Sequence, residues 1–162
     1  WESWRASWGS SREYVQRMTD VWDFYAANED DRGALAPVER GVLAICDFRQ
    51  EVNSGGFETY FCAWGGDTAP IAAASLNNAL GGEWSALLVA AMALFGANYP
   101  LDADARAELI DRLGLSEKLN AFDELLYSLE GSVDADAVLT LYLESSRSHI
   151  VALRSSSNDT RY

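Results

Sequence analysis

The chain has 162 residues, the size of one domain, and its composition, 49% hydrophobic with only three prolines, is that of a folded globule and excludes a disordered or linker-like polymer. Twenty-five acidic residues against twelve basic ones give a formal net charge of −13. Such a surface repels nucleic acid and anionic membrane, so direct binding to either is excluded and any charge-driven partner is basic.

Helical signals dominate in chain order, because alanine and leucine are abundant and β-branched runs are nearly absent. Residues 1–10 form an N-terminal extension, where Trp1, Trp4 and Trp8 make an aromatic stripe if that end is helical. A first helix is expected over residues 11–27, carrying Tyr14, Val15, Met18, Val21, Trp22 and Tyr25 at helical spacings. After the polar stretch NEDDRGALAP, Pro37 suits the first turn of a helix with Val38, Val42, Ile45, Phe48 and Val52 on one face. That helix is expected to stop at Asn53-Ser54-Gly55-Gly56, where glycine can take the left-handed conformation.

A short aromatic helix over residues 57–64 follows and ends at Gly65-Gly66. Asp67 or Thr68 then serves as N-cap, and Pro70 opens an alanine-rich helix to about Leu80. Gly81-Gly82 separates it from an apolar helix over residues 83–95, which is too short to span a bilayer. Further helices are expected over residues 102–113, 116–129 and 134–154, with Gly114 ending the first of these and a frayed tail at 155–162. The sum is one compact all-α domain, residues 11–154, of about seven helices.

Few residues offer chemistry. His149 stands alone on the last helix, and no His-Glu-x-x-His, Cys-x-x-Cys, Walker loop, Gly-x-Ser-x-Gly or dinucleotide fingerprint occurs. No metal or cofactor is expected. Cys46 and Cys62 sit in apolar settings and read as reduced core thiols of a cytoplasmic protein. A nucleophile pair of Cys62 with His149 has no sequence signature behind it. No signal peptide is visible; the chain begins at Trp1 and not at methionine, which suggests a trimmed or engineered fragment and leaves an upstream address open. Glu51 near a helix C-terminus opposes the dipole and should find a hydrogen-bond donor, whereas Glu58 suits the first turn of the next helix. An enzyme reading would place a site near Glu51, Asn53 and Glu58; the architectural reading of these residues is preferred.

The stretch EVNSGGFETYFCAWGGD, residues 51–67, with LAPVERGVLAICDFRQ before it and LNAFDELLYSLEGSVDADAVLTLYLESS after it, resembles a bacterial family of DNA-mimic proteins, long classed as a domain of unknown function. The likeness runs from Met18 to Ala152. Carried onto this chain, the motif positions are Glu51, Val52, Asn53, Gly55, Gly56, Phe57, Tyr60, Phe61, Gly66 and Asp67, all read as structural. Ser54 replaces an asparagine common in the family, and Cys62-Ala63-Trp64 replaces polar residues. The resemblance implies an all-helical domain and, for the name-giving member, binding to a DNA-binding transcription factor in place of DNA.

Acidic residues three or four apart on a helix can imitate part of a phosphate row. Asp102, Asp104, Glu108 and Asp111 form one such set, Glu29, Asp30 and Asp31 a second, and Asp123, Glu124, Glu130, Asp134 and Asp136 a third, with Arg106 and Arg112 to the side of the first. The expected function is therefore a non-enzymatic binding protein for a basic partner, most concretely a transcription factor. An immunity-type inhibitor of a toxin such as a basic nuclease is the alternative, and a homodimer is compatible with the chain.

Overall fold

Nine consecutive residues of one helix, 41–49, are buried, including Asp47 and Arg49. A helix covered on all sides must lie at the centre of its domain. The structure, a computed structural model, describes residues 19–158, with the backbone alone for Ile150 and residues 154–158. Among these residues there are seven α-helices and no strand: α1 (Val21–Asn28), α2 (Pro37–Cys62), α3 (Ala69–Ala79), α4 (Gly82–Met92), α5 (Ala103–Leu113), α6 (Ser116–Ser132) and α7 (Ala135–Asn158). Two 3₁₀ turns, Trp64–Thr68 and Ala93–Phe95, link α2 to α3 and extend α4. The Trp1, Trp4 and Trp8 stripe and the N-terminal extension lie outside the described residues, as does the tail from 159 onward.

The all-helical single domain is as expected, and the differences concern where helices begin and end. The helix expected over residues 11–27 does not include Thr19 and Asp20, because Asp20 accepts from Trp22 N and caps a helix that begins at Val21. The break expected at Gly55-Gly56 is present: Gly56, at φ 85° and ψ 175°, is outside helical geometry, and a second helical stretch, residues 57–62, restarts beyond it within the range labelled α2. The kink frees the Phe57 N–H, which donates to Asp123 Oδ1 on α6 at 2.8 Å. A carboxylate from another helix thus caps the restart, the role an N-cap residue plays at an ordinary helix start. α6 runs to Ser132 and α7 to Asn158, so residues 155–158 are helical and not part of a frayed tail. The segment over 83–95 divides into α4 and a 3₁₀ turn.

α2 packs against α3, α5, α6 and α7. Its second half delivers Phe57, Tyr60 and Phe61, all fully buried, to an aromatic cluster. Phe61 meets Phe95 edge-on with ring centroids 4.9 Å apart, Phe48 meets Tyr60 at 5.3 Å, and Phe57 meets Phe122 of α6 at 5.9 Å. Such pairs add to the burial of the rings themselves. The fourth ring of the motif departs from this pattern: Trp64 is 53% exposed, with the Arg32 guanidinium 5.3 Å from its ring centre. Cys46 is buried as expected. Cys62 is exposed, because the last turn of α2 emerges from the core there.

Candidate functional site

Three arginines and one aspartate enter the interior around α2, and each must be compensated, since an unpaired buried charge costs several kcal/mol. Asp47 is 1% exposed. It accepts a bidentate fork from Arg32, Nη1 to Oδ2 at 2.6 Å and Nη2 to Oδ1 at 2.9 Å, together with Tyr25 Oη at 2.7 Å and Thr68 Oγ1 at 2.9 Å. Burial and the hydrogen bond to Asp47 push the Tyr25 phenol well up, so it stays a neutral donor.

Arg49, on the opposite side of α2, forks onto Glu130 at 2.7 and 2.8 Å and reaches Asp136 Oδ1 at 2.7 Å, with its guanidinium over the Trp22 ring. Burial pulls the Arg49 guanidinium down. The bonds to Glu130 and Asp136 outweigh that and raise it, so Arg49 remains charged. Asn53 Nδ2 donates to Glu130 at 3.1 Å, which ties the motif's asparagine to the same group.

Arg106 is the third. It lies one turn before Ile110 on the buried stripe of α5 and is fully inaccessible. It donates four hydrogen bonds, three to backbone carbonyls, Phe61 O at 2.7 Å and Ala63 O and Pro100 O at 2.9 Å, and one to the Asp67 carboxylate, Oδ1 at 2.6 Å. The guanidinium therefore collects carbonyls that the end of α2 leaves unpaired, a use for which its planar fork is suited. Gly66 is small for this reason. A Cβ there would stand 2.8 Å from Tyr60 O and 2.9 Å from Arg106 Nη2. Tyr99 Oη completes the corner by donating to Gly66 O at 2.6 Å.

Several expectations change. Asp67 does not cap α3; it pairs with Arg106, and the N-cap position falls to Thr68, whose hydroxyl donates to Asp47 and to Gly65 O and makes no cap bond. Glu51 has no donor for its carboxylate among the described residues. The turn that ends at Gly56 leaves carbonyls and not N–H groups free, so it offers Glu51 no donor. Instead its side chain packs beside Gly65. Glu51, Asn53 and Glu58 do not share a cleft: Glu58 lines an open depression with Thr59, Cys62 and Asn120, while Asn53 turns to Glu130. His149 is exposed on α7.

The acidic residues also sort themselves. Asp123, Glu130 and Asp136 are committed to Phe57 N and Arg49, and Asp102 and Asp134 cap α5 and α7 through Ala105 N and Ala137 N. Asp31 accepts from Gly33 N within its own loop. Glu29, Asp30, Asp104, Glu108, Asp111 and Glu124 are exposed. On α5 the outward face therefore carries Asp104, Glu108 and Asp111, while Arg106 is withdrawn into the core.

Among the described residues no His, Cys, Asp and Glu cluster is arranged to hold a metal, and no helix is long and apolar enough to cross a membrane. The class defined by fold and site is an all-α domain whose centre is a kinked, charged helix and whose unpaired carboxylates lie outward. The chain belongs to the DMP19-like protein family, whose model matches residues 33–146, from the loop before α2 to the middle of α7. This is the family that the sequence resemblance indicated. No curated protein and no solved structure matches the chain significantly.

Proposed function

We propose that this is a non-enzymatic binding protein that uses its outward carboxylates to occupy a basic protein surface, most concretely the DNA-binding face of a transcription factor. The observation that carries the reading is the burial of Arg106. In the sequence it interrupts the row Asp104, Glu108, Asp111; in the fold it leaves that row with no cation between its members. Asp104 and Asp111 stand about 10 Å apart along the axis at roughly 1.5 Å of rise per residue. One DNA strand places a phosphate about every 3.4 Å, so three carboxylates stand where a strand would have about four. Glu29 and Asp30, in the loop after α1, are further exposed carboxylates.

Family membership supports the reading through the DNA mimicry of the name-giving member, and the two free thiols suit a reducing cytoplasm. Pairing with lysines and arginines that normally hold phosphates supplies steering and specificity. The test is co-purification from native lysate at low and high salt, followed by competition with duplex DNA. A partner lost at high salt and displaced by DNA is expected. A complex indifferent to both overturns the proposal, and a basic nuclease as the captured partner replaces the transcription factor with a toxin.

A further inference from the structure

A second surface of the molecule has the opposite character. From Thr68 to Leu101 the only charged residue is Glu83, in a chain whose net charge is −13. α4 lies in this segment and buries Trp84, Leu87, Leu88 and Ala91, yet beyond Glu83 in its first turn the outward positions are Ala86, Val89 and Ala90. A surface helix ordinarily turns polar residues outward. Beside it, α6 leaves Leu125 53% exposed.

Between the two helices runs an open groove of about 450 Å³, floored by Ala86, Leu87 and Ala90 of α4 and by Phe122, Leu125 and Leu129 of α6. Both floors repeat at helical spacing, and the α6 side spans about 10 Å, the length covered by the i, i+3, i+4 and i+7 anchors of a helix lying in a groove. One lining residue, Glu83, is acidic, and two further glutamates lie beyond the lining on the α6 side. Glu83 borders the groove on α4. Ser128 borders it on α6, and Glu124 and Glu117 continue the Ser128 stripe along the same edge. None of the three carboxylates has an ion-pair partner among the described residues, and Lys118 is the one basic residue on either helix.

We propose that this groove receives an amphipathic helix of a partner protein, with leucine-like side chains on the entering face and lysine or arginine on the flanks that meet Glu83 and Glu124. Charge selects this occupant over a second copy of the chain. A second copy would bring its own glutamates and a further −13 against the first, whereas basic flanks are attracted by the same glutamates. The groove shares no residue with the α5 row, so either surface can fail its test without the other.

The probe is a fluorescent helical peptide of about 18 residues, with leucines at i, i+3, i+4 and i+7 and lysines elsewhere, compared with a scramble of equal charge whose leucines share no face. Anisotropy is read in about 0.5 M salt, where exposed charges are largely screened. The faced peptide is expected to bind at least about tenfold more tightly than the scramble. Leu125→Gln or Ala90→Gln, both at exposed positions, should each remove that preference, while neutralising Asp104, Glu108 and Asp111 should leave it intact. Thermal melts check the fold, and Ala90→Gln decides alone if Leu125→Gln unfolds. Equal binding of the two peptides, or a preference that survives both groove variants, overturns the proposal. So does sedimentation of the chain as a dimer that Leu125→Gln splits, since a second copy would then fill the groove.

Discussion

The charges of α2 and those of α5 follow opposite rules. Along α2, Asp47 and Arg49 point into the protein, and every polar atom they carry is spent on a named partner. Along α5 Arg106 goes inward, while Asp104, Glu108 and Asp111 go outward, with Arg112 exposed beside them in the last turn. The first arrangement fixes one packing, because a buried charge that loses its partner is costly. The second contributes little to folding, because exposed charges are solvated in either state. The same residue types thus serve architecture in one region and leave a surface free for recognition in the other.

The sharpest way to break the comparison is to remove a charge from the α2 side. Asp47→Ala strands the Arg32 guanidinium and Tyr25 Oη together, while Thr68 Oγ1 keeps Gly65 O. A loss of about 3–5 kcal/mol is expected, read as a Tm fall of on the order of 10 °C by calorimetry. Adding Arg32→Met should recover part of it; if the double variant is no better than the single, the cost does not arise from the stranded cation. Gly66→Ala comes next. Its Cβ meets backbone on one side and Arg106 on the other, so about 1–3 kcal/mol should be lost. A neutral outcome would mean that the Arg106 corner gives way easily.

Acid should discriminate between the two regions as well. Burial pushes the Asp136 carboxyl up, but the hydrogen bonds from Arg49 and Trp22 and the Arg49 charge outweigh it and hold Asp136 below the ordinary 3.8. A depressed carboxylate contributes its stability in full above 3.8 and loses it as pH falls through the folded value. The stability difference between the native chain and Asp136→Asn should therefore be constant above about pH 5 and shrink below 3.8. A difference independent of pH down to the acid transition would remove the ionised pair from the account. By contrast, Asp104→Asn, Glu108→Gln and Asp111→Asn should each stay within about 0.5 kcal/mol of the native chain at neutral pH, while together they weaken capture of a basic partner.

Periodicity made the helices legible. Val38, Val42, Ile45, Phe48 and Val52 repeat at helical spacing, and α2 lies where they place it. What periodicity missed were the polar residues on the same stripes. Arg106 precedes Ile110 by four, and Arg49 follows Ile45 by four and precedes Val52 by three, positions at which a core residue is expected. A charged residue on a buried stripe is a signal that a partner must come from elsewhere, but the carboxylate partners lie 39 to 87 positions away and no local pattern names them. The kink at Gly56 was visible as a glycine pair. That Asp123 would cap it was not, because that contact exists only once α6 has docked.

The cysteines give the smallest effect and test the same division between inside and outside. Burial pushes the Cys46 thiol up to about 12, so at neutral pH it is both inaccessible and protonated. Cys62 is exposed, yet partial burial and the neighbouring Glu58 charge also raise it. Alkylation of the native protein near pH 8 should modify Cys62 alone, and more slowly than a free thiol, since the thiolate is the reactive form. Glu58→Gln should speed that reaction modestly by removing the negative charge. Cys46 should react only when α2 is released from the core, so its labelling rate should follow global unfolding and rise in Asp47→Ala. If Cys46 instead labels at a rate that Asp47→Ala leaves unchanged, the interior around α2 opens locally, and the buried charges do not hold it as one unit.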